Sequence, residues 1–220
     1  MDTGALVAAE TGVFMGTPEV WVEDVCALQH QMLLAIQHGL REDHRGTISL
    51  TRLQDYGYID LLGSCDRATL TTYCARLKPR WVCALDNGKP ALDRLEQAID
   101  QANISQRATE RDVPDWHRTI KALEKDLLIS LRAGLAAPNV SAHAACYARI
   151  TEPAMCRGLS NASTLAIHNL VWNNPNTLGL AFVASLYAKS LLHQLLHDLE
   201  PDMDVVRTAI ATTKLHVPCH

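Results

Sequence analysis

Two histidines four residues apart are the pair in this 220-residue chain whose types and spacing best fit metal chemistry. They are His193 and His197 in the stretch SLLHQLLHDLEPD, and Glu200 follows three residues later. Two imidazoles at positions i and i+4 of a helix can reach one metal ion, and a carboxylate is a common third ligand of zinc. One hypothesis is therefore a zinc site formed by His193, His197 and Glu200.

The sequence around these histidines weighs against hydrolytic chemistry and also allows an interpretation without metal. The zinc-hydrolase motif His-Glu-x-x-His has a glutamate after its first histidine, and here that position is Gln194. The motif therefore contains no general base. On a helical wheel the three candidate ligands fall within about 60° of one another, away from Leu191 and Leu195. Histidines in a last helical turn also interact favourably with the carbonyl end, so the alternative is a pair without metal.

A second candidate is the segment between Asp66 and Asp86, which contains no acidic residue. Cations that neutralise phosphates and aromatic rings that stack on bases are typical of sites for single-stranded RNA. Tyr73 lies in the segment, and three arginines between positions 41 and 52 would extend it if the helices fold back. Basic runs are also common on solvated surfaces, so RNA binding is a hypothesis. The candidate RNA-binding residues are Arg67, Arg76, Lys78, Arg80 and Trp81.

The third feature is a long stretch that is poor in charge. Residues 136–190 contain four charged residues in 55, whereas 20% of the whole chain is charged. Contiguous uncharged surface is typical of contacts with other chains, and depletion of charge is typical of interface centres. The stretch therefore predicts self-association through the second half of the chain. The alternative is that the stretch forms an intramolecular core.

Helices must position these candidates, because most of the readable hydrophobic periodicity is helical and strand alternation is nearly absent. We predict helix ends at Gly46 and Gly134 and N-caps at Asp66 and Asp112. The fold class is all-α, a multi-helix bundle of about eight to ten helices in a single domain, 1–220, with subdomains 1–134 and 140–220 as the alternative. The main predicted helices cover residues 19–40, 50–62, 66–78, 90–102, 114–132, 141–149, 163–172, 177–199 and the segment from 201 onward.

Composition narrows the classes of partner and compartment. The net charge is −4 and the pI is about 6.2, so nothing attracts the whole chain to nucleic acid or to an acidic membrane. No apolar run is long enough to span a bilayer, and we expect no membrane partner. The seven cysteines include no Cys-x-x-Cys pair, and no secretory signal is visible. We therefore expect reduced thiols and a cytoplasmic or nuclear protein that is not secreted.

These features favour a non-enzymatic helical assembly protein over an enzyme. We expect a homo-oligomer that associates through its charge-poor second half and contacts RNA through the basic segment, without a cofactor. Viral coat and nucleocapsid subunits form such a class, by architectural analogy. Nucleotide-binding, phosphate-loop and serine-hydrolase motifs are absent from the sequence. The alternatives are a metal-dependent helical enzyme or sensor that uses His193, His197 and Glu200, and an adaptor that binds a partner helix.

Overall fold

Ten α-helices and one pair of short strands make up the part of the chain that the computed structural model describes. That part consists of residues 16–52, 55–77, 82–85, 89–148, 150–175, 177–181, 185–197, 199–200, 202, 204 and 207. The predicted all-α bundle of eight to ten helices is confirmed. The helices are α1 (Pro18–Glu42), α2 (His44–Thr51), α3 (Tyr56–Ser64), α4 (Arg67–Leu77), α5 (Lys89–Asn103), α6 (Asp115–Ala136), α7 (Ser141–Tyr147), α8 (Pro153–Asn161), α9 (Thr164–Asn173) and α10 (Ser185–Leu196).

The two longest helices, α1 and α6, pack against each other and form the centre of the bundle. Trp21 of α1 is buried, and its indole N–H donates a hydrogen bond to the carbonyl of Ser130 at 2.9 Å. Gly134 lets the two helices approach here, because a Cβ at this position would lie 2.7 Å from the indole ring. The predicted helix end at Gly134 is therefore wrong, and α6 continues to Ala136.

Helix starts depend on which aspartates meet free backbone N–H groups. Asp66 accepts a hydrogen bond from the backbone N–H three residues later at 2.6 Å, so the predicted cap is confirmed. Asp112 does not cap α6, whose N-cap is Pro114 and forms no side-chain cap bond. Gly46 does not end a helix. Its N–H donates to the Asp43 carboxylate at 2.9 Å in the first turn of α2.

Two predicted helices are divided in the structure. The helix predicted at 50–62 is interrupted after α2, where Arg52 adopts a left-handed conformation with φ of 55°. The helix predicted at 177–199 begins instead as β2 (Leu178–Ala181), which pairs antiparallel with β1 (Val82–Leu85). This pairing joins segments about a hundred residues apart, and local hydrophobic periodicity carries no signal for it. The α8 helix was not predicted.

Helix α9 lies inside the bundle, against α5 and α6. Much of the charge-poor stretch is therefore intramolecular core, as one of the two interpretations predicted. Buried residues from α1 to α10 form one contiguous cluster, and the division into subdomains stays a prediction. Seven of the ten residues of α9 are buried, namely Ala166, Ile167, His168, Asn169, Leu170, Val171 and Trp172.

No helix in the described ranges combines the length and the apolar character needed to cross a membrane. Of the helix predicted from residue 201 onward, the structure describes residues 202, 204 and 207 alone, and the helix stays a prediction. The apolar residues Phe182 and Val183, which lie within the helix predicted at 177–199, are outside the described residues. The side chain of Leu186 is likewise not described.

Candidate functional site

The histidine pair lies at the C-terminal end of α10. His193 and His197 are both exposed, and their ring centres are 4.4 Å apart with the ring planes inclined by 54°. The backbone N–H of His197 donates to the carbonyl of His193 at 3.2 Å, so the helical turn between them is intact. The predicted orientation is confirmed, because Leu191 and Leu192 on the opposite side of α10 are buried.

Helix α10 is fixed to α3 and α4, so the histidine pair is carried by a packed element. Leu191 and Leu192 are 1% and 0% exposed, which places the helix firmly against the core. One turn before His193, the ammonium group of Lys189 lies 3.3 Å from the carboxylate of Asp55 at the start of α3.

The structure brings together two of the three predicted metal ligands. Glu200 is exposed beyond the end of α10. Among the described residues, no three His, Cys, Asp or Glu side chains are close enough to hold one metal ion. A site at the pair therefore has two ligands from this part of the chain, and the three-ligand set with Glu200 stays a prediction.

The described members of the basic segment lie on opposite sides of α4. Arg67 and Arg76 are both exposed, and they are nine residues apart. Nine residues correspond to about 180° of rotation around a helix, so the two guanidinium groups do not share a face. The side chains of Lys78, Arg80 and Trp81 lie outside the described residues. Tyr73 is 2% exposed and is not available for base stacking.

Arg41 is brought to the start of α4 by the packing of α1 against α3. Its guanidinium group donates hydrogen bonds to the carbonyls of Gly63 and Cys65, while the residue remains exposed. Arg41 therefore lies near Arg67 on one end of α4. Of the three arginines expected to extend the basic segment, only Arg41 is supported in that role by these contacts.

A buried cluster of two tyrosines and two thiols lies between α3 and α4, and sequence reasoning missed it. The hydroxyls of Tyr58 and Tyr73 are 3.0 Å apart, and burial raises the pKa of both well above the ordinary value. Burial also raises the pKa of Cys74 to about 12 and that of Cys65 above its usual range. Gln37 donates to the sulfur of Cys65 at 3.1 Å. Protonated thiols are poor nucleophiles, so this cluster is structural.

A buried ion pair connects α6 to the segment after α9. Lys121 and Glu124 are 3% and 5% exposed, and the ammonium nitrogen is 2.9 Å from the carboxylate oxygen. The same ammonium group donates to the carbonyls of Asn174 at 2.9 Å and Pro175 at 3.0 Å. All three of its donors are therefore used. In the sequence an i, i+3 Lys–Glu pair is typical of an exposed helix face, so nothing local indicated this burial.

The long connection between α5 and α6 is held by side chains of α9. The amide of Asn169, which is fully buried, accepts from the Ala108 N–H at 2.7 Å and donates to the Gln106 carbonyl at 2.8 Å. A ring nitrogen of His168 is 3.0 Å from the Ala108 carbonyl. These contacts were not predicted from the sequence; the signal that could have found them is two polar residues inside the apolar run LAIHNLVW, because buried polar groups are usually hydrogen-bonded.

No family model, curated protein sequence or solved structure matches the chain.

Proposed function

We propose that this protein is a helical assembly protein that self-associates through the charge-poor surface of its second half. The observation that carries the proposal is a difference in exposed charge. Of the 13 exposed residues described within 136–190, two are charged, Glu152 and Arg157. Of the 21 exposed residues within 89–135, 11 are charged. Charge is therefore scarce on the described surface of residues 136–190, and the burial of α9 does not account for it.

Helices α7 and α8 pack on the outside of α6. Helix α7 exposes no Asp, Glu, Lys or Arg side chain, and the two exposed charges of the stretch lie at the start of α8 and within it. The exposed residues on or beside α7 include Asn139, Ala142, His143 and Thr151, and none of them is Asp, Glu, Lys or Arg. Uncharged surface of small side chains costs little to desolvate, which favours contact with a second copy. The buried part of each helix is already used by the bundle, so the exposed part is what a second copy would meet.

Light scattering coupled to size-exclusion chromatography tests the proposal. We expect the weight-average mass of the full chain to rise above 24.2 kDa as its concentration increases from low micromolar to near millimolar. The measurement is made in a metal chelator, so that metal-dependent contacts do not contribute. A mass that stays at the monomer value over the whole range would overturn the proposal.

Contact with RNA through the basic segment is the second part of the proposal. It is supported by the exposed Arg67 and by Arg41, which the fold brings to the same end of α4. We expect binding of single-stranded RNA that weakens as salt increases, because each neutralised phosphate releases counterions. Removing two such contacts, as in the Arg41→Ala/Arg67→Ala variant, should lower the slope of log affinity against log salt by about 1.4.

The control is Arg207→Ala, because Arg207 is exposed and lies outside this segment. Equal salt slopes for the double variant, the control and the unchanged protein would assign RNA binding to another surface. A nuclease-treated preparation that binds no RNA at low salt would remove the RNA contact from the proposal and leave self-association standing.

A further inference from the structure

We propose that His193 and His197 bind one zinc-class divalent metal ion that is shared by two copies of the chain. The two imidazoles of one copy supply half of the ligands, and the same pair from a second copy supplies the other half. This metal-dependent contact goes beyond the self-association proposed for α7 and α8, which needs no ion.

The spacing of the two rings fits chelation of a single ion. A zinc–nitrogen bond is about 2.0–2.1 Å, which places two imidazole centres on one tetrahedral ion about 5 Å apart. The ring centres of His193 and His197 are 4.4 Å apart in the structure. The intact helical turn between the two residues holds both rings on one side of α10. Small rotations of the side chains are therefore enough to bring both rings onto one ion.

The position of the pair at the end of α10 also favours a cation. The last carbonyls of a helix carry partial negative charge, which stabilises positive charge in the last turn. The charge of Lys189, one turn earlier, is paired with Asp55 at 3.3 Å. Because α10 is anchored by buried Leu191 and Leu192, little further ordering of the backbone is needed when the ion binds.

The number of ligands points to a second copy. Structural zinc sites are closed by four protein ligands. The described part of this chain brings no third His, Cys, Asp or Glu side chain to the pair. A two-fold axis through the ion repeats the same two side chains, which gives four imidazoles in an isologous contact. The exposure of both rings leaves room for that approach.

The test uses the full chain without a histidine tag, stripped with a chelator and then dialysed. Sedimentation velocity is measured with Zn²⁺, with Mg²⁺ and with chelator, and isothermal titration calorimetry gives the stoichiometry of Zn²⁺. We expect one Zn²⁺ per two chains and a shift to a heavier species with Zn²⁺ alone, because Mg²⁺ prefers oxygen ligands. His193→Ala or His197→Ala should weaken Zn²⁺ binding by at least about tenfold and abolish the shift. The control is His38→Ala, which removes another exposed histidine.

Three results would overturn the inference. They are no Zn²⁺ binding, binding that His193→Ala and His197→Ala leave unchanged, and one Zn²⁺ per chain without a change in mass. The readout is the difference between Zn²⁺ and chelator, whereas the self-association through α7 and α8 is read in chelator alone. Failure of either proposal therefore leaves the other one measurable.

Discussion

At the residue scale, Lys121 joins two segments that are far apart in the sequence. Its ammonium group contacts Glu124, which is buried with it, and the carbonyls of Asn174 and Pro175. Removing the cation leaves a buried carboxylate without its counter-ion, which typically costs about 3–5 kcal/mol. We therefore expect Lys121→Met to lower the free energy of unfolding by about that amount in urea denaturation.

The control for this prediction is Lys125→Met, in the same helix. The Lys125 ammonium lies 4.0 Å from Asp126, and both side chains are at least one-third exposed. Exposed pairs contribute about 0–1 kcal/mol, so this change should have little effect. The double variant Lys121→Met/Glu124→Leu should recover part of the loss, because it removes the buried carboxylate as well. If Lys121→Met and Lys125→Met lowered the free energy of unfolding by similar amounts, the buried pair would contribute no more to stability than the exposed pair.

Replacing each of two glycines with alanine should change the stability of the protein in opposite directions. A Cβ at Gly134 would lie 2.7 Å from the Trp21 ring and 3.0 Å from the Cβ of Ala144, so neither neighbour can move freely. We expect Gly134→Ala to destabilise the protein by about 1–3 kcal/mol. At Gly63 the nearest atom would be the Leu40 Cβ at 3.9 Å, and Gly63→Ala should stabilise by about 0.4–1 kcal/mol. Thermal unfolding measures both, and two changes of the same sign would contradict the packing argument.

These residues also show what the sequence could not reveal at this scale. Gly134 was interpreted as a helix end because glycine is common after helices, but here it allows close packing of α1 and α6. An i, i+3 spacing of Lys and Glu predicts an exposed pair on a helix surface, but Lys121 and Glu124 have this spacing and are buried. By contrast, Asp66 was predicted correctly, because a cap depends on local backbone geometry alone.

At the element scale, α3 and α4 are joined by groups that must stay protonated. Burial raises the pKa of Cys74 from an ordinary 9.0 to about 12. The shift of this pKa contributes fully to the free energy of unfolding below pH 9. The contribution is lost as the pH rises from 9 toward 12, because between these values the thiol loses its proton in the unfolded chain but keeps it in the folded one. Stability should fall by up to about 1.4 kcal/mol per pH unit from this group. We expect Cys74→Ala to reduce that slope in urea unfolding between pH 9 and 10.

The slope is the readout for this prediction, since Cys74→Ala also removes packed volume and lowers stability equally at every pH. Burial of Cys65 raises the pKa of a second thiol in the same cluster, so part of the slope should remain in the variant. Stability of the unchanged protein that is flat from pH 8 to 10 would contradict the burial of these thiols.

The elements differ in how far periodicity could predict them. Helices α1, α4, α5 and α6 were found because each presents an apolar stripe at helical spacing. The pairing of β1 with β2 was missed, since it depends on contact between segments that no local window includes. For the candidate site, the wheel of α10 placed His193 and His197 away from the core correctly, because burial of Leu191 decides that orientation.

At the scale of the whole molecule, the scarcity of charged residues in the stretch 136–190 has a different structural basis in α9 and in α7. The absence of charge from α9 follows from its burial against α5 and α6. The absence of charge from α7 has no such cause, because Ala142 and His143 are exposed. Composition alone could not separate a buried helix from an uncharged surface. The burial of each residue distinguishes the buried helix from the uncharged surface, and the uncharged surface is what supports self-association.

The uncharged surface gives the last prediction, which concerns assembly. Ala142 is an exposed alanine of α7, and a glutamate there would have to be desolvated in a contact with a second copy. We expect Ala142→Glu to weaken self-association by at least about tenfold in light scattering, with no loss of stability, since an acidic residue suits the first turn of a helix. Ala75→Glu is the matched control, because Ala75 is an exposed alanine of α4 in the charged half. If both variants weakened association equally, net charge would be the cause, and α7 would not form the contact.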